Sequence, residues 1–379
     1  MDNVGRHYTK PNGIPRRGHV RRIWYNKSVS AAAPGAFSAE AGACRAGYPG
    51  ATKEKGTARM SVKREFRFDS GDGRTKIHAV EWKPEKGEIC GVVQIFHGMA
   101  EFIERYEDTA EYLTKRGFVV VGNDHLGHGG SIVSKEDYGF FCEQNGNEVL
   151  LGDLRRLHEK TVKKWPKVPY FILGHSMGSF LLRQYLCRYG EELDGAIIMG
   201  TGTQPAAALR LGQKLCGLLA KVHGWHYRSG LVEAMAFGSY NRRFRPVRTR
   251  MDWLTKDGRI VDAYLADERC GFRFTVNGFY NLFVSIEEAS KQENLERMPK
   301  DLPVLFMSGA EDPVGGYGKG VEQVRKQFEA AGMSDVTWIL YDNDRHEILN
   351  ETDRDTVLRD LYAWLYVRAS DPRRKTGGK

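Results

Sequence analysis

Long apolar runs are missing from this sequence. No stretch approaches the roughly 18–20 apolar residues that a membrane-spanning helix needs, and the N-terminus lacks the apolar core of a secretory signal. The six cysteines form no C-x-x-C pair and no cluster with histidine, a pattern typical of free thiols in a reducing compartment. We therefore expect a soluble, cytoplasmic protein that uses no metal and no other cofactor.

Clustered positive charge is also scarce once the first sixty residues are set aside. Residues 1–60 hold eleven basic and three acidic residues, which gives +8 of the total formal charge of +9 and leaves the rest of the chain at +1. A nucleic-acid-binding surface requires basic residues concentrated on the folded part of a protein. Nucleic acid is therefore not an expected partner.

The segment 1–60 is rich in Gly, Ala, Arg and Ser and shows no sustained apolar period. Because it lacks the apolar side chains needed to join a core, we expect a basic, disordered tail. Two alternatives are that Met60 is the natural start of the protein and that the Arg-rich, acid-poor composition marks a transit peptide.

From Ser61 onward, short apolar runs alternate with segments of helical spacing. Two alternating stretches around the turn at 69–73 predict a β-hairpin, and the later continuous runs predict strands buried on both faces. This order predicts an α/β fold with a mostly parallel central sheet and helices on both faces. The predicted hairpin strands are 61–68 and 77–82, the buried strands are 90–96, 118–122, 170–173, 195–199, 303–307 and 336–341, and the helices are 106–116, 148–164, 180–189, 321–331 and 358–366.

The alternation stops within residues 203–290, which contain helical stripes but no convincing buried strand. We expect a core formed by residues 61–202 and 291–379, with 203–290 inserted as a helical cap, or lid, over one end of the sheet.

A G-x-S-x-G motif from Gly174 to Gly178 lies between a predicted strand and a predicted helix. In that setting the serine sits on a sharp, strained turn that exposes its Oγ, and the following helix directs its positive end at the reacting oxygen. We predict Ser176 as a nucleophile. A tight turn with an incidental serine is the alternative, which the flanking strand and helix disfavour.

An acid and a base should follow the serine along the chain, in that order. Asp312 comes after the predicted strand 303–307; Glu311 competes with it, and we favour Asp312 because Pro313 biases its backbone towards an extended conformation. His346 follows the last predicted strand. We predict that His346 removes the proton of Ser176 and that Asp312 orients the imidazole. The backbone N–H of Met177 and that of Met99, in the loop after strand 90–96, should stabilise the oxyanion.

Taken together, five motifs resemble the monoacylglycerol lipase and lysophospholipase branch of the α/β-hydrolases, particularly its bacterial members. They are HGMAE at 97–101, DHLGHGGS at 124–131, GHSMG at 174–178, SGAEDPV at 308–314 and RHEILNE at 345–351. The resemblance covers about residues 62–367. It implies the α/β-hydrolase fold, a cap after the sixth strand, and the same triad and oxyanion donors. It also implies hydrolysis of a lipid-like ester, a monoacylglycerol or a lysophospholipid, through an acyl-enzyme on Ser176.

Two apolar stripes within 203–290 bear on the substrate. They consist of Leu211, Leu215, Leu218 and Val222, and of Phe279, Leu282, Phe283 and Ile286. Either stripe can pack the cap onto the core or line an acyl-chain pocket. A cluster of five arginines between 242 and 250 indicates either a solvated loop or contact with a phosphate headgroup or a membrane surface.

Several alternatives stay open at this point. The same triad serves acyl transfer, short-chain ester hydrolysis and peptide hydrolysis, and a non-catalytic ligand-binding homologue would share the fold. Asp124, His125 and His128 suggest a metal, but no further ligand is spaced nearby, so a structural loop is favoured.

Overall fold

The computed structural model describes residues 61–371 and the backbone of one short strand, Arg22–Tyr25. The expectation of a disordered tail, and the alternatives to it, concern residues that otherwise lie outside the described part of the chain. The strand Arg22–Tyr25, β1, pairs antiparallel with the last strand of the sheet, and the sequence did not predict it.

The remaining strands follow the predicted order, with ends that differ by at most two residues. They are β2 (Ser61–Asp69), β3 (Lys76–Pro84), β4 (Gly91–Phe96), β5 (Phe118–Asn123), β6 (Tyr170–His175), β7 (Gly195–Met199), β8 (Val304–Gly309) and β9 (Val336–Tyr341). The helices are α1 (Glu107–Thr114), α2 (Gly146–Lys164), α3 (Met177–Tyr189), α4 (Ala206–His223), α5 (Gly230–Phe237), α6 (Gly258–Ala266), α7 (Val276–Glu288), α8 (Gln292–Leu295), α9 (Lys319–Ala330) and α10 (Arg354–Ala369). None of the helices in residues 61–371 has both the length and the apolar content needed to cross a bilayer.

One twisted sheet joins all these strands in the order β1-β9-β8-β7-β6-β4-β5-β3-β2. The six strands from β4 to β9 run parallel, and the antiparallel β2–β3 hairpin is added beside β5. Every residue of β4, β5, β6, β7 and β8 is buried. This burial explains why the sequences of these strands are continuous apolar runs. The predicted α/β sheet is confirmed.

Helices cover both faces of the sheet. Leu154 of α2, Leu181 of α3 and Val324 of α9 are buried on one face. Leu113 of α1 and Leu361 of α10 are buried on the other. Burying an apolar side chain of this size stabilises the fold by about 1.5–3 kcal/mol. The layers hold the carboxyl ends of the parallel strands at one edge, where ligands bind in open α/β sheets.

Residues 203–290, which we call the insertion, connect β7 to β8 and contain helices α4 to α7. The stripe on α7 faces inward, since Phe279 is fully buried and Ile286 is 8% exposed. The stripe on α4 faces outward: Leu211, Leu218 and Val222 are 61%, 62% and 70% exposed. For those three residues, both interpretations made from the sequence, packing onto the core and lining a pocket, are wrong. The inner face of α4 is formed by Leu209, Gly212 and Cys216.

Candidate active site

Ser176 occupies the turn between the end of β6 and the start of α3. Its backbone has φ 52° and ψ −118°, a conformation that a residue with a side chain adopts only at a cost. Gly178 is required beside it, because a Cβ there would collide with the carbonyl oxygen of Phe96. The helix begins at Met177, three residues earlier than the sequence predicted. The Ser176 side chain is therefore held directly at the N-terminus of α3.

Asp312 and His346 lie in the loops after β8 and β9 and contact each other. Nδ1 of His346 is 3.0 Å from Oδ2 of Asp312, and both side chains are almost completely buried. A carboxylate only accepts hydrogen bonds, so Nδ1 carries the proton and Nε2 is left as an acceptor. The other carboxylate oxygen of Asp312 accepts the N–H of Val314 at 2.8 Å. Glu311, the competing acid, forms no hydrogen bond to His346 within the described residues.

A cavity of about 700 Å³ opens above these groups. Ser176 and His346 line it, together with Met99 and Met177. The rest of its wall comes largely from the insertion, including Leu209, Phe237, Met251, Leu282, Phe283 and Ile286. The structure thus places the predicted nucleophile and base in one largely apolar cavity, with Asp312 behind the histidine.

The loop after β4 approaches the serine turn. A Cβ on Gly98 would lie 3.2 Å from the Cβ of Ser176, which shows how closely the two segments pass. Among the hydrogen bonds of residues 61–371, none is donated by the N–H of Met99 or that of Met177. Met99 and Met177 both line the cavity beside Ser176, and their role as oxyanion donors stays a prediction.

The insertion holds both loops through hydrogen bonds. Tyr264 Oη and the N–H of Gly271 donate to the carbonyl of Ala100, each at 2.9 Å. On the histidine side, the N–H of Glu347 donates to the carbonyl of Leu254 at 2.7 Å. The insertion is thus fastened to the loop after β4, which contains Met99, and to the loop after β9, which contains His346. We call them the oxyanion loop and the histidine loop.

A buried ionic cluster, which sequence reasoning missed, lies beneath these loops. Arg105 donates to Glu101 at 2.5 Å and, with two hydrogen bonds at 2.8 and 2.7 Å, to Glu347. Glu101 also accepts the N–H of Gly98 at 2.5 Å and lies 3.4 Å from Nδ1 of His175. The cluster therefore joins the oxyanion loop, the residue before Ser176 and the residue after His346.

The charges of this cluster stabilise one another. Burial alone would raise the pKa of the carboxyls of Glu101 and Glu347, but Arg105 outweighs it and holds both pKa values below their usual range. Burial would likewise lower the pKa of His175, yet Glu101 raises it above the ordinary value. The spacing of Glu101 and Arg105, four residues apart, was the one available signal in the sequence.

The three histidines His97, His125 and His128 are buried and their rings contact one another. Nε2 of His97 accepts the N–H of His125 at 2.9 Å, so its proton lies on Nδ1, which donates to the carbonyl of Gly98 at 2.8 Å. Asp124 accepts the N–H groups of Ile103 and Gly130 and contacts His78. The structure does not gather Asp124, His125 and His128 into a ligand set, and the interpretation as a structural loop stays a prediction.

Within the described residues, one group has ligand atoms close enough to hold a metal. It consists of Glu65, His78 and Glu104, whose donor atoms all lie within 4.8 Å of one another. The ammonium of Lys63 stands 3.7 Å from Glu65 and 3.9 Å from Glu104. Because this side chain already supplies a countercharge, we assign no metal to the group.

Comparison with known proteins identifies a family and several similar hydrolases. Residues 87–353 match the Hydrolase_4 family model, described as serine aminopeptidase, S33. The monoacylglycerol lipase of Mycolicibacterium smegmatis is 27% identical over 312 residues, covering 80% of this chain and 98% of the relative. The monoglyceride lipase of Rattus norvegicus is 37% identical over 296 residues, covering 76% of this chain and 86% of the relative. A thermostable carboxyl esterase from Bacillus coagulans, solved with glycerol, matches with a TM-score of 0.76 and 27% identity over 81% of this chain and 99% of that chain.

The sheet and its surrounding helices define an α/β-hydrolase. More particularly, the chain belongs to the Hydrolase_4 family, it is similar to monoglyceride lipases, and it is a carboxylic ester hydrolase.

Proposed function

We propose that this protein hydrolyses monoacylglycerols through an acyl-enzyme on Ser176. The observation that carries the proposal is the apolar cavity that holds Ser176 and His346 beneath the helices of the insertion. The printed names of two relatives, a monoacylglycerol lipase and a monoglyceride lipase, support the same substrate class. In this proposal the insertion acts as a cap and the inner faces of α4 and α7 contact the acyl chain.

The proposed reaction proceeds in two halves. His346 Nε2 accepts the proton of Ser176 Oγ as that oxygen bonds to the ester carbonyl carbon, and the N–H groups of Met99 and Met177 receive the charge that develops on the carbonyl oxygen. The C–O bond to glycerol then breaks, and His346 returns the proton to the leaving oxygen. Water, deprotonated by the same imidazole, releases the fatty acid and regenerates Ser176. Asp312 keeps the proton on Nδ1 throughout.

A lysophospholipid is the second candidate substrate, and the arginine cluster bears on it. Arg243 stacks on the ring of Tyr317, Arg248 pairs with Asp262, and Arg250 donates to the carbonyl of Gly271. Since three of the five arginines already have partners in the protein, an uncharged headgroup is favoured over a phosphate.

The outer surface of the insertion suggests how a lipid reaches the cavity. Leu211, Leu218 and Val222 of α4 are exposed, as are Leu231 and Met235 of α5. Exposed apolar side chains grouped on adjacent helices mark contact with lipid or protein. We propose that this face makes transient contact with a membrane or micelle surface while substrate enters.

The decisive experiment compares substrates and labelling. We expect hydrolysis of a monoacylglycerol to exceed that of lysophosphatidylcholine and of an aminoacyl arylamide, and we expect a fluorophosphonate probe to label the protein but not the Ser176→Ala variant. Failure of the probe to label would favour a non-catalytic binding protein. Faster arylamide cleavage would favour a peptidase, and a new ester formed from added alcohol would indicate acyl transfer.

We further propose a cytoplasmic location. Cys142, Cys187, Cys216 and Cys270 are in no disulfide, which supports a reducing compartment. Fractionation of cells that express the protein tests this proposal, and recovery of the protein outside the cytosol would contradict it.

A further inference from the structure

Arg183 is a fully buried arginine on the nucleophile helix. It lies on α3, seven residues after Ser176 in the sequence. Its Nη1 donates to the carbonyl of Gly202 at 2.9 Å. Its Nη2 donates to the carbonyl of Ala289 at 2.9 Å and to Oγ of Ser290 at 3.3 Å.

These acceptors lie where the insertion begins and where it ends, and we call these two segments its roots. Gly202 lies three residues after β7, where the chain leaves the sheet, while Ala289 and Ser290 follow the end of α7, where the chain returns. One planar guanidinium therefore binds the outgoing and the returning segment at once. Next to it, Gln184 donates to Oγ of Ser285 on α7 at 2.8 Å.

Stability alone does not account for this arrangement. In the described residues no carboxylate pairs with Arg183, and its Nε–H has no acceptor. Burial lowers the pKa of the guanidinium to about 10, and its charge is balanced mainly by carbonyl groups, including one at the C-terminus of α7. An apolar side chain of similar volume is often at least as stabilising as a buried charge. The arginine therefore has a role in positioning the two segments that it binds.

Residues next to both roots line the cavity. Gly202 and Thr203 line the cavity beside the first root, and Leu282 and Ile286 of α7 line it beside the second. The spacing between the roots therefore sets the distance between two walls of the cavity. A shift of one wall would change how a long acyl chain fits, while a short acyl group at Ser176 would be little affected.

We propose that Arg183 is a positioning residue that fixes the insertion over Ser176 and thereby sets the preference for acyl-chain length. This inference rests on the proposed lipid-ester function.

The test uses Arg183→Lys and Arg183→Met with p-nitrophenyl esters from acetate to palmitate. Misplacement of binding groups by about 1 Å costs up to about a hundredfold in rate, so we expect kcat/KM for long esters to fall at least about tenfold, mainly through KM, with the acetate ester changed by less than about threefold. Lysine at position 183 should not restore kcat/KM for long esters, because one ammonium cannot bind both roots as the two Nη groups of the guanidinium do.

Arg325→Met serves as the matched control. Arg325 lies on α9, pairs with Glu329 and is remote in sequence from both roots, so its variant should lower stability without altering the chain-length profile. An equal loss for every ester in Arg183→Lys, or an unchanged profile, would overturn the inference. If Arg183→Met does not fold, the lysine variant decides alone.

A second measurement does not depend on activity. Hydrogen exchange of segments 202–210 and 284–292 should become faster in Arg183→Lys than in the parent protein, and unchanged exchange would contradict the proposal. Failure of the parent protein to hydrolyse long-chain esters would instead refute the proposed function, so the two failures are distinguishable.

Discussion

Arg105 binds Glu347 through two parallel hydrogen bonds and thereby fastens the neighbour of His346 to the segment that follows the oxyanion loop. The same guanidinium contacts Glu101, so a single cation separates two buried carboxylates. Three segments that meet at the cavity depend on this one side chain.

Replacement of Arg105 by methionine should therefore be strongly destabilising. It leaves Glu101 and Glu347 buried without their cation, and breaking a buried pair in this way typically costs about 3–5 kcal/mol. Adding Glu347→Gln should restore part of the loss, because one uncompensated charge is removed. Urea unfolding of the two single variants and the double variant measures this coupling.

Arg259→Met is the control for that series. Arg259 pairs with Asp257 at the surface, where its side chain is 90% exposed, so its loss should leave stability unchanged within error. Strict additivity of Arg105→Met and Glu347→Gln would show that the two residues are energetically independent.

Ser176→Gly should abolish ester hydrolysis and at the same time stabilise the protein. The serine is held at φ 52°, and backbone strain of this kind costs of order 1–3 kcal/mol. Glycine adopts this conformation without strain. The greater conformational freedom of glycine in the unfolded chain, however, destabilises the fold by about 0.5–1 kcal/mol. The net expectation is a gain of about 0–2.5 kcal/mol, measured by urea unfolding.

Ser179→Gly provides the comparison, since Ser179 lies within the same helix. Glycine inside a helix is destabilising by roughly 0.5–1 kcal/mol relative to alanine. A loss of stability in both variants would indicate that residue 176 stores no strain.

Acid should weaken the fold through the buried histidines. Burial lowers the pKa of His125 to about 4 and that of His128 to about 3, against roughly 6.5 in an unfolded chain. Between pH 6.5 and 4 the unfolded state therefore binds more protons, so stability is fully present above pH 6.5 and falls as the pH drops. Each such histidine contributes a slope of about 1.4 kcal/mol per pH unit.

His128→Phe tests this pH dependence, because the ring is already surrounded by Phe141, Phe272 and Phe274. Urea unfolding at pH 7, 6 and 5 should show that the free energy of unfolding falls less steeply with decreasing pH in the variant than in the parent protein. The exposed His223, changed to glutamine, should leave the slope as it is. An equal slope in the parent and in His128→Phe would exclude His128 as a cause.

The sequence predicted most of the sheet because buried parallel strands leave a plain signature. The runs at 90–96 and 170–173 were identified within two residues of their ends. The positions of Ser176, Asp312 and His346 after three strands follow from that prediction. The three residues lie at one edge of the sheet because the carboxyl ends of parallel strands share that edge. The catalytic assignment itself stays a prediction.

Other features depend on contacts that no local pattern encodes. Glu347 is 242 residues from Arg105, so their pairing emerges only when the sheet brings the two loops together. The apolar stripe of α4 has helical spacing but carries no information on which side faces the core. The contacts of Arg105 and Arg183 could not be predicted either, because a sequence does not distinguish a buried arginine from an exposed one.

The outward stripe of α4 leads to a prediction about lipid surfaces. Leu218→Gln with Val222→Gln should reduce the rate on monoacylglycerol presented in phosphatidylcholine vesicles, since about 25 cal/mol per Å² of apolar contact is lost. The rate on a short, monomeric ester should not change, because neither residue is among those lining the cavity. Val367→Gln on α10, also an exposed apolar position, should affect neither rate. Vesicle sedimentation with the Ser176→Ala background separates binding from turnover, and equal sedimentation of the α4 variant would rule out this face as the contact surface.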